Sequence, residues 1–108
     1  METTVVANDF QIPWQDKAVV SLILRFVNEL KPDRIILNGD VVDCYSISNY
    51  TKDPMKVADL EREIDGAGDL MTRLCLIPDR IWLGGNHEDR LRRYLWRQAP
   101  ELCGLEGL

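Results

Sequence analysis

Histidine and cysteine, two side chains that often bind transition metals, are scarce in this sequence. Among 108 residues there are one histidine, His87, and three cysteines, Cys44, Cys75 and Cys103. No two cysteines form a C-x-x-C pair, so neither a structural zinc site nor a disulfide framework is expected. The sequence instead predicts three reduced thiols in a cytoplasmic protein.

Long apolar runs are missing as well. No segment approaches the roughly 20 apolar residues that a membrane span needs, and the first residues lack the basic region and apolar core of a signal peptide. A hydrophobic content of 45% with 29% charged residues is typical of a globular domain. The net charge of −5 disfavours indiscriminate binding to nucleic acid or membranes but permits a local basic patch. We therefore expect one domain, residues 1–108, that does not bind membranes.

The sequence does contain a regular alternation of short apolar runs and amphipathic segments. The runs predict strands at residues 3–7, 34–37 and 80–83. Apolar residues at helical spacing predict helices at residues 16–30, from 54 to about 74, and from 88 to 98. Asp16 is the expected N-cap of the first helix, and Asp53-Pro54 predicts the start of the second. The order β-α-β-α-β-α predicts an α/β fold with a three-stranded parallel sheet.

The same spacing predicts which side chains face the core. Trp82 lies within an apolar strand and is predicted to be buried, and the third helix is expected to turn Leu91 and Leu95 inward. The inward stripe of the first helix is predicted as Val19, Leu22, Ile23, Phe26, Val27 and Leu30. That of the second is predicted as Val57, Leu60, Ile64, Ala67, Met71 and Leu74.

Polar residues follow each predicted strand at the point where it ends. The carboxyl ends of parallel strands share one edge of the sheet, where ligands usually bind. Folding should therefore gather five side chains along one edge: Asp9, Asp40, Asp43, Asn86 and His87. Carboxylate and amide oxygens suit Mg²⁺, Mn²⁺ or Fe, and such a metal site can assist phosphoester chemistry. A nucleotide-cofactor role is poorly supported, because neither G-x-G-x-x-G nor G-x-x-x-x-G-K-[ST] occurs.

Three short motifs resemble the calcineurin-like metallophosphoesterase family, whose pattern is D-x-H, then G-D-x-x-D, then G-N-H-[E/D]. Residues 9–11 (D-F-Q) resemble the first motif, residues 39–43 (G-D-V-V-D) match the second, and residues 85–88 (G-N-H-E) match the third. The stretch 5–13 and the helix at 90–95 also look like phage and bacterial members. The resemblance implies metal-dependent hydrolysis of phosphomono- or diesters through a dinuclear site.

The resemblance also implies roles for individual residues. Asp9 and Gln11 would bind the first metal, Asp40 would bridge both metals, and Asn86 would bind the second. Gln11 stands where the family usually has histidine; its amide oxygen is a weaker ligand. The metals are expected to be Mn²⁺, with Mg²⁺, Fe or Zn²⁺ as alternatives.

By the same resemblance, His87 would act as general acid or stabilise charge on the phosphoryl group. Asp43 would orient His87 and stabilise its protonated form.

The resemblance covers only the first half of the family's two-sheet sandwich. Two later histidine motifs, which supply further metal ligands, have no counterpart here because His87 is the only histidine. We therefore expect a truncated domain with impaired catalysis. Its open sheet edge should pair with another chain, in a homo-oligomer or with a partner.

A helix rich in arginine begins directly after the third motif. Arg90 and its neighbours Arg92, Arg93 and Arg97 could attract a phosphate-bearing substrate, such as a nucleotide or nucleic acid, or could simply form a solvated face. Trp14, close to the first motif, could stack a base. Two alternatives to an enzyme therefore stay open: a non-catalytic metal- or phosphate-binding module, and a nucleic-acid-binding accessory protein.

Overall fold

The computed structural model describes residues 1–56 and 59–105. The strands are β1, Thr4–Ala7; β2, Arg34–Asn38; and β3, Asp79–Leu83. The helices are α1, Lys17–Leu30; α2, Leu60–Arg73; and α3, Asp89–Gln98. Single 3₁₀ turns lie at Tyr45–Ile47 and Pro100–Leu102. The predicted α/β fold with three helices and a parallel sheet is confirmed.

The sheet has the order β1-β2-β3, with β2 at its centre. Ala7 pairs with Leu37 between β1 and β2, and Asn38 pairs with Leu83 between β2 and β3. All three strands therefore end at the same edge. The loops that follow them start side by side.

The core lies on one face of the sheet, which α1 and α2 cover together. Ile35 and Leu37 of β2 pack there against Val27 of α1 and Leu70 of α2. Asp16 caps α1 as predicted, accepting hydrogen bonds from the first-turn amides. The predicted inward stripe of α1 is partly wrong, because the sheet selects the Val20, Ile23, Leu24 and Val27 side of a helix that is apolar almost all round. The stripe members left exposed are Val19, Leu22, Phe26 and Leu30.

Helix α2 begins later than the sequence predicted. Asp53 caps only a single turn, in which its side chain accepts from the Met55 amide. The helix begins at Leu60, because Asp59 caps it by accepting from the Arg62 amide at 2.8 Å. The predicted stripe residue Val57 lies outside the described residues.

The inner face of α2 also differs from the predicted stripe. Ile64 is 57% exposed, whereas Glu63 is completely buried beside Ala67. Gly66 faces the loop after β1, and a Cβ there would lie 2.5 Å from Cγ2 of Ile12. This glycine, which weakens the isolated helix, lets α2 approach that loop closely.

Strand β3 is an edge strand and is only partly covered. Trp82, predicted to be buried, is 39% exposed, because an apolar cavity of about 380 Å³, lined also by residues of α2 and α3, stays open beside it. Leu91, predicted to face inward, is also exposed, whereas Leu95 is half-buried. No helix within 1–56 and 59–105 combines the length and apolar character needed to cross a bilayer.

Candidate functional site

Three loops meet at the carboxyl edge of the sheet: loop 1, residues 8–15; loop 2, residues 39–44; and loop 3, residues 84–88. Loops 1 and 2 extend the β1–β2 pairing past the strand ends. The Gln11 amide donates to the Asp40 carbonyl at 2.9 Å, and the Asp43 amide donates to the Ile12 carbonyl at 2.9 Å. The two loops are thus fixed to one another by their backbones.

Loops 1 and 2 use backbone conformations that are rare for residues with side chains. Asp9, Gln11, Asp40 and Cys44 all have φ between 51° and 58°, in the left-handed region, and Gly39 has φ of 82°. Such conformations cluster where a surrounding structure over-determines them, commonly at functional sites. Here they turn the backbone sharply at Asp9 and Asp40, the first acidic residues of the first two motifs.

Loop 3 packs directly on loop 2 because both contain glycine at the contact. A Cβ on Gly85 would lie 2.6 Å from the Asp40 amide nitrogen, and one on Gly39 would lie 3.1 Å from the Gly85 Cα. Neither distance leaves room for a side chain without movement of the backbone. The glycines of the second and third motifs therefore permit the approach of these loops.

A single carboxylate, that of Glu88, fastens the two loops together. It accepts hydrogen bonds from the amides of Asp40 at 2.9 Å, Val41 at 2.7 Å and Gly85 at 3.3 Å, and from the Trp82 indole at 3.0 Å. Burial acts to raise the pKa of Glu88, but the Trp82 and backbone hydrogen bonds outweigh it and hold the pKa below its usual 4.5. The ionised carboxylate is thus the form that the fold favours.

Asp40 is held from loop 3 by two neighbouring residues. The His87 amide donates to Oδ1 of Asp40 at 2.9 Å. The Asn86 side-chain amide faces both carboxylate oxygens of Asp40, and in the orientation that satisfies both groups its nitrogen donates to them at 3.2 and 3.0 Å. A half-turn of the same amide would direct its oxygen at this carboxylate, an arrangement that a cation between the groups would stabilise.

His87 and Arg90 both contact Asp43, and all three side chains are largely buried. Nδ1 of His87 lies 3.1 Å from the Asp43 carbonyl oxygen and 3.6 Å from its Oδ2. Arg90 Nη1 donates to the same carbonyl at 2.9 Å and to Oδ1 at 3.1 Å. The Asp43 carboxylate is therefore shared between an imidazole and a guanidinium, with the guanidinium closer.

The remaining predicted ligands, Asp9 and Gln11, lie on loop 1. Asp9 is exposed, and its carboxylate accepts a hydrogen bond from the Asn8 side chain. Among residues 1–56 and 59–105, no three His, Cys, Asp or Glu side chains converge as a metal-binding group. The oxygen donors that the structure brings together are those of Asp40 and Asn86, with Gln11 joined to Asp40 through its backbone. This donor chemistry fits a hard divalent cation.

Trp14 and Arg90, the two predicted substrate contacts, pack against different aromatic residues. Its ring meets Tyr45 edge-on, with the ring centres 6.0 Å apart, and Lys56 Nζ lies 5.3 Å from its centre. Arg90 instead places its guanidinium 5.4 Å from the Tyr50 ring. The structure therefore gives Trp14 and Arg90 separate aromatic partners, Tyr45 and Tyr50.

Glu63 of α2 contacts the backbone at the end of loop 2, where the buried Cys44 lies. Glu63 accepts from the Tyr45 amide at 3.0 Å, and burial, opposed by backbone hydrogen bonds from this segment, raises its pKa. Burial, together with the nearby Glu63 and Glu88 carboxylates, raises the pKa of Cys44 to about 12. The Cys44 thiol therefore stays protonated at neutral pH and is neither a nucleophile nor a thiolate ligand.

Glu63, Glu88 and the Arg90–Asp43 contact were missed by the sequence analysis. The position of Glu63 within the apolar face of α2 could have predicted that its carboxylate is buried. Glu88 occupies the last position of the third motif, but its hydrogen bonds reach residues 47 and 48 positions away. Only the fold brings these groups together.

The calcineurin-like phosphoesterase family model matches residues 3–103 of this chain. The matched range contains all three loops and nearly the whole fold. The chain therefore belongs to the calcineurin-like phosphoesterase family, whose members bind divalent metal ions and are associated with phosphoester hydrolysis.

The curated relatives are proteins of mycobacterial viruses. The chain is 30% identical over 105 residues to the Gene 54 protein of Mycobacterium phage L5, and equally to the Gene 54 protein of Mycobacterium phage D29. The alignment includes 91% of this chain and 40% of each relative, so the chain spans about two fifths of their length. No solved structure matches the chain significantly.

Proposed function

We propose that this chain contributes to metal-dependent hydrolysis of phosphomono- or diesters, with Mn²⁺ as the preferred ion. The observation that carries the proposal is the convergence of the Asn86 amide and the Asp40 carboxylate beside His87. Membership of the calcineurin-like phosphoesterase family supports the same reaction class. Catalysis by this chain alone is expected to be weak, because it supplies one histidine.

Four residues are proposed as metal ligands: Asp9, Gln11, Asp40 and Asn86. A divalent cation bound there would act as a Lewis acid on a phosphoryl oxygen. Asp40 would be the central ligand of this set, because its carboxylate lies next to Asn86 and its carbonyl accepts the Gln11 amide. Mg²⁺, Fe or Zn²⁺ could replace Mn²⁺ at such oxygen-rich positions.

His87 is proposed as the general acid. With a proton on Nδ1, directed at the Asp43 oxygens, Nε2 is the ring nitrogen that would carry a second proton toward a leaving oxygen. Asp43 would orient the ring and stabilise the imidazolium. Arg90 would fix Asp43 in place through its two contacts with that residue.

Hydrolysis of bis(p-nitrophenyl) phosphate tests the proposal. We expect Mn²⁺ to support release of p-nitrophenolate and EDTA to abolish it. Asp40→Asn should lower the rate by about 100-fold or more, the scale of losing one preorganised electrostatic contact. Asp65→Asn, which changes an exposed carboxylate of α2, is the matched control and should keep the rate.

A second candidate is a metal- or phosphate-binding module without catalysis. It is favoured by the single histidine of the chain, because Asp40 and Asn86 could hold a cation without the further histidines that the family resemblance implies for hydrolysis. Binding of Mn²⁺ that depends on Asp40, measured by calorimetry without any turnover, would select this candidate and contradict hydrolysis.

We also propose that the chain self-associates at its open sheet edge, and that the sheet face opposite the core takes part in the contact. Val6, Ile36 and Ile81 share one row of this face, next to Leu83. Val6 is 58% and Leu83 46% exposed, although apolar strand residues are usually covered by a second layer of secondary structure.

The three unpaired cysteines support the expected cytoplasmic location.

Light scattering at several protein concentrations tests the association. The unmodified chain should have the mass of a dimer or a larger homo-oligomer. Val6→Lys combined with Leu83→Lys should shift it to the monomer, because two buried ammonium groups would lack partners. Leu22→Lys, on the exposed side of α1, is the control. A stable monomer of the unmodified chain would contradict the proposal.

A further inference from the structure

A polar cavity of about 230 Å³ opens directly beside Asn86, between α3 and the segment after loop 2. Three arginines of α3 line it: Arg90, Arg93 and Arg97. Their spacing of three and four residues places them on one side of the helix. Tyr50 forms part of the opposite wall.

The arginines are not all neutralised by neighbouring carboxylates. Arg90 is engaged by Asp43, and Arg93 donates to Asp89 at 2.7 Å. Arg97 makes no ion pair with any residue that the structure describes. Three guanidinium groups thus face two carboxylates, which leaves the cavity positive in a chain whose net charge is −5.

Asn86 connects this cavity with the candidate metal ligands. Its side-chain amide faces Asp40, and the same residue lines the arginine cavity. An anion in the cavity would therefore lie next to a phosphoryl group held near Asp40. Ligand pockets for drug-sized molecules have about 300–1,000 Å³, so the smaller cavity suits one compact anionic group.

We propose that the arginine cavity binds a second phosphate group of the substrate. The substrate class would then be phosphoesters with at least two phosphates, as in nucleoside polyphosphates or short nucleic-acid strands. The guanidinium group suits phosphate, because its planar fork donates two parallel hydrogen bonds. This assignment rests on the proposed function in one respect, namely that another phosphate of the same substrate reacts near Asp40. Binding of an anion in the cavity does not depend on it.

Calorimetric titration in EDTA measures the cavity separately from catalysis. Inorganic pyrophosphate should bind about 10-fold more tightly than inorganic phosphate, the scale expected for one added charge-assisted hydrogen bond. Arg97→Gln should weaken pyrophosphate binding about 10-fold. Arg92→Gln is the matched control, because Arg92 pairs with Asp89, packs on Trp96 and lies outside the cavity. It should change the affinity less than about twofold.

Two outcomes would overturn the assignment: no binding of either anion in EDTA, or equal weakening by Arg92→Gln and Arg97→Gln. ADP and the dinucleotide pTpT are titrated in the same way. Tighter binding of ADP would indicate a nucleoside polyphosphate as the source of the second phosphate, and tighter binding of pTpT would indicate a nucleic-acid strand. If Arg97 controls pyrophosphate binding while nothing is hydrolysed, the proposed function fails and the cavity assignment stands. If the chain hydrolyses the ester with Mn²⁺ while Arg97→Gln leaves pyrophosphate binding unchanged, the proposed function stands and the cavity assignment fails.

Discussion

Glu88→Ala is expected to destabilise the fold by about 3 kcal/mol. Its carboxylate accepts from three backbone amides and the Trp82 indole. Removing it leaves the amides of Asp40 and Val41 without their acceptor where loops 2 and 3 meet. Each partly buried donor left unpaired costs about 1–3 kcal/mol. Two such unpaired donors would therefore remove a large part of the free energy of unfolding, which is about 5–15 kcal/mol for a typical domain.

Urea denaturation followed by circular dichroism measures this loss. Glu61→Ala, which removes an exposed carboxylate from the first turn of α2, is the control and should cost less than about 1 kcal/mol. Glu88→Gln should fall between the two, because its amide keeps one acceptor oxygen and loses the charge. Equal midpoints for Glu88→Ala and Glu61→Ala would show that the carboxylate does not fasten the loops.

The stabilisation by Glu88 should also depend on pH. Because its hydrogen bonds lower the pKa in the folded state, the carboxylate stabilises the fold above its unfolded pKa of about 4.5. This contribution is lost as the pH falls through the lower, folded pKa. The difference in unfolding free energy between the unmodified chain and Glu88→Gln should therefore shrink on acidification below about 4.5.

His87→Gln is expected to lower the rate of phosphoester hydrolysis by about 10²–10⁴-fold, the usual contribution of a positioned general acid. Glutamine can still meet the Asp43 carbonyl but cannot deliver a proton from a cationic ring. The loss should appear in kcat rather than KM, because the ring is proposed to act on the leaving oxygen in the transition state.

The leaving group gives a sharper measurement of the same role. For an alkyl phosphodiester, whose leaving oxygen needs a proton, His87→Gln should lower the hydrolysis rate by the full amount. For the p-nitrophenyl ester, whose leaving group is stable as an anion, the rate should fall much less. Arg92→Gln on the outer side of α3 is the control. Equal losses for both esters would assign His87 to charge stabilisation instead of proton transfer.

The alternation of strands and helices could be predicted because its signals are local. Asp16 and the β-branched run before Asn8 specify a cap and a strand without reference to the rest of the chain. Asp53 and Asp59 present equal capping chemistry, and only the packing of α2 decides between them. The inward side of α1 was equally undecided, because its apolar residues surround most of the helix and the sheet selects among them.

The candidate site could be predicted only in part, because its contacts depend on the fold and not on local sequence signals. The shared edge of parallel strands sufficed to place Asp40, Asn86 and His87 as neighbours. It did not specify the hydrogen bonds of Glu88 or the competition of Arg90 and His87 for Asp43. Those contacts depend on side-chain directions across loops that are distant in sequence.

The left-handed residues of loops 1 and 2 have one further effect. Asp9, Gln11, Asp40 and Cys44 hold torsions that an unfolded chain rarely visits, and folding alone confines them. An ion arriving at Asp40 and Asn86 would thus meet a preorganised backbone and lose little additional chain entropy. By mass action, every ion that binds only this arrangement also raises the melting temperature. Affinity and thermal stability are in this way two readouts of the same loop geometry.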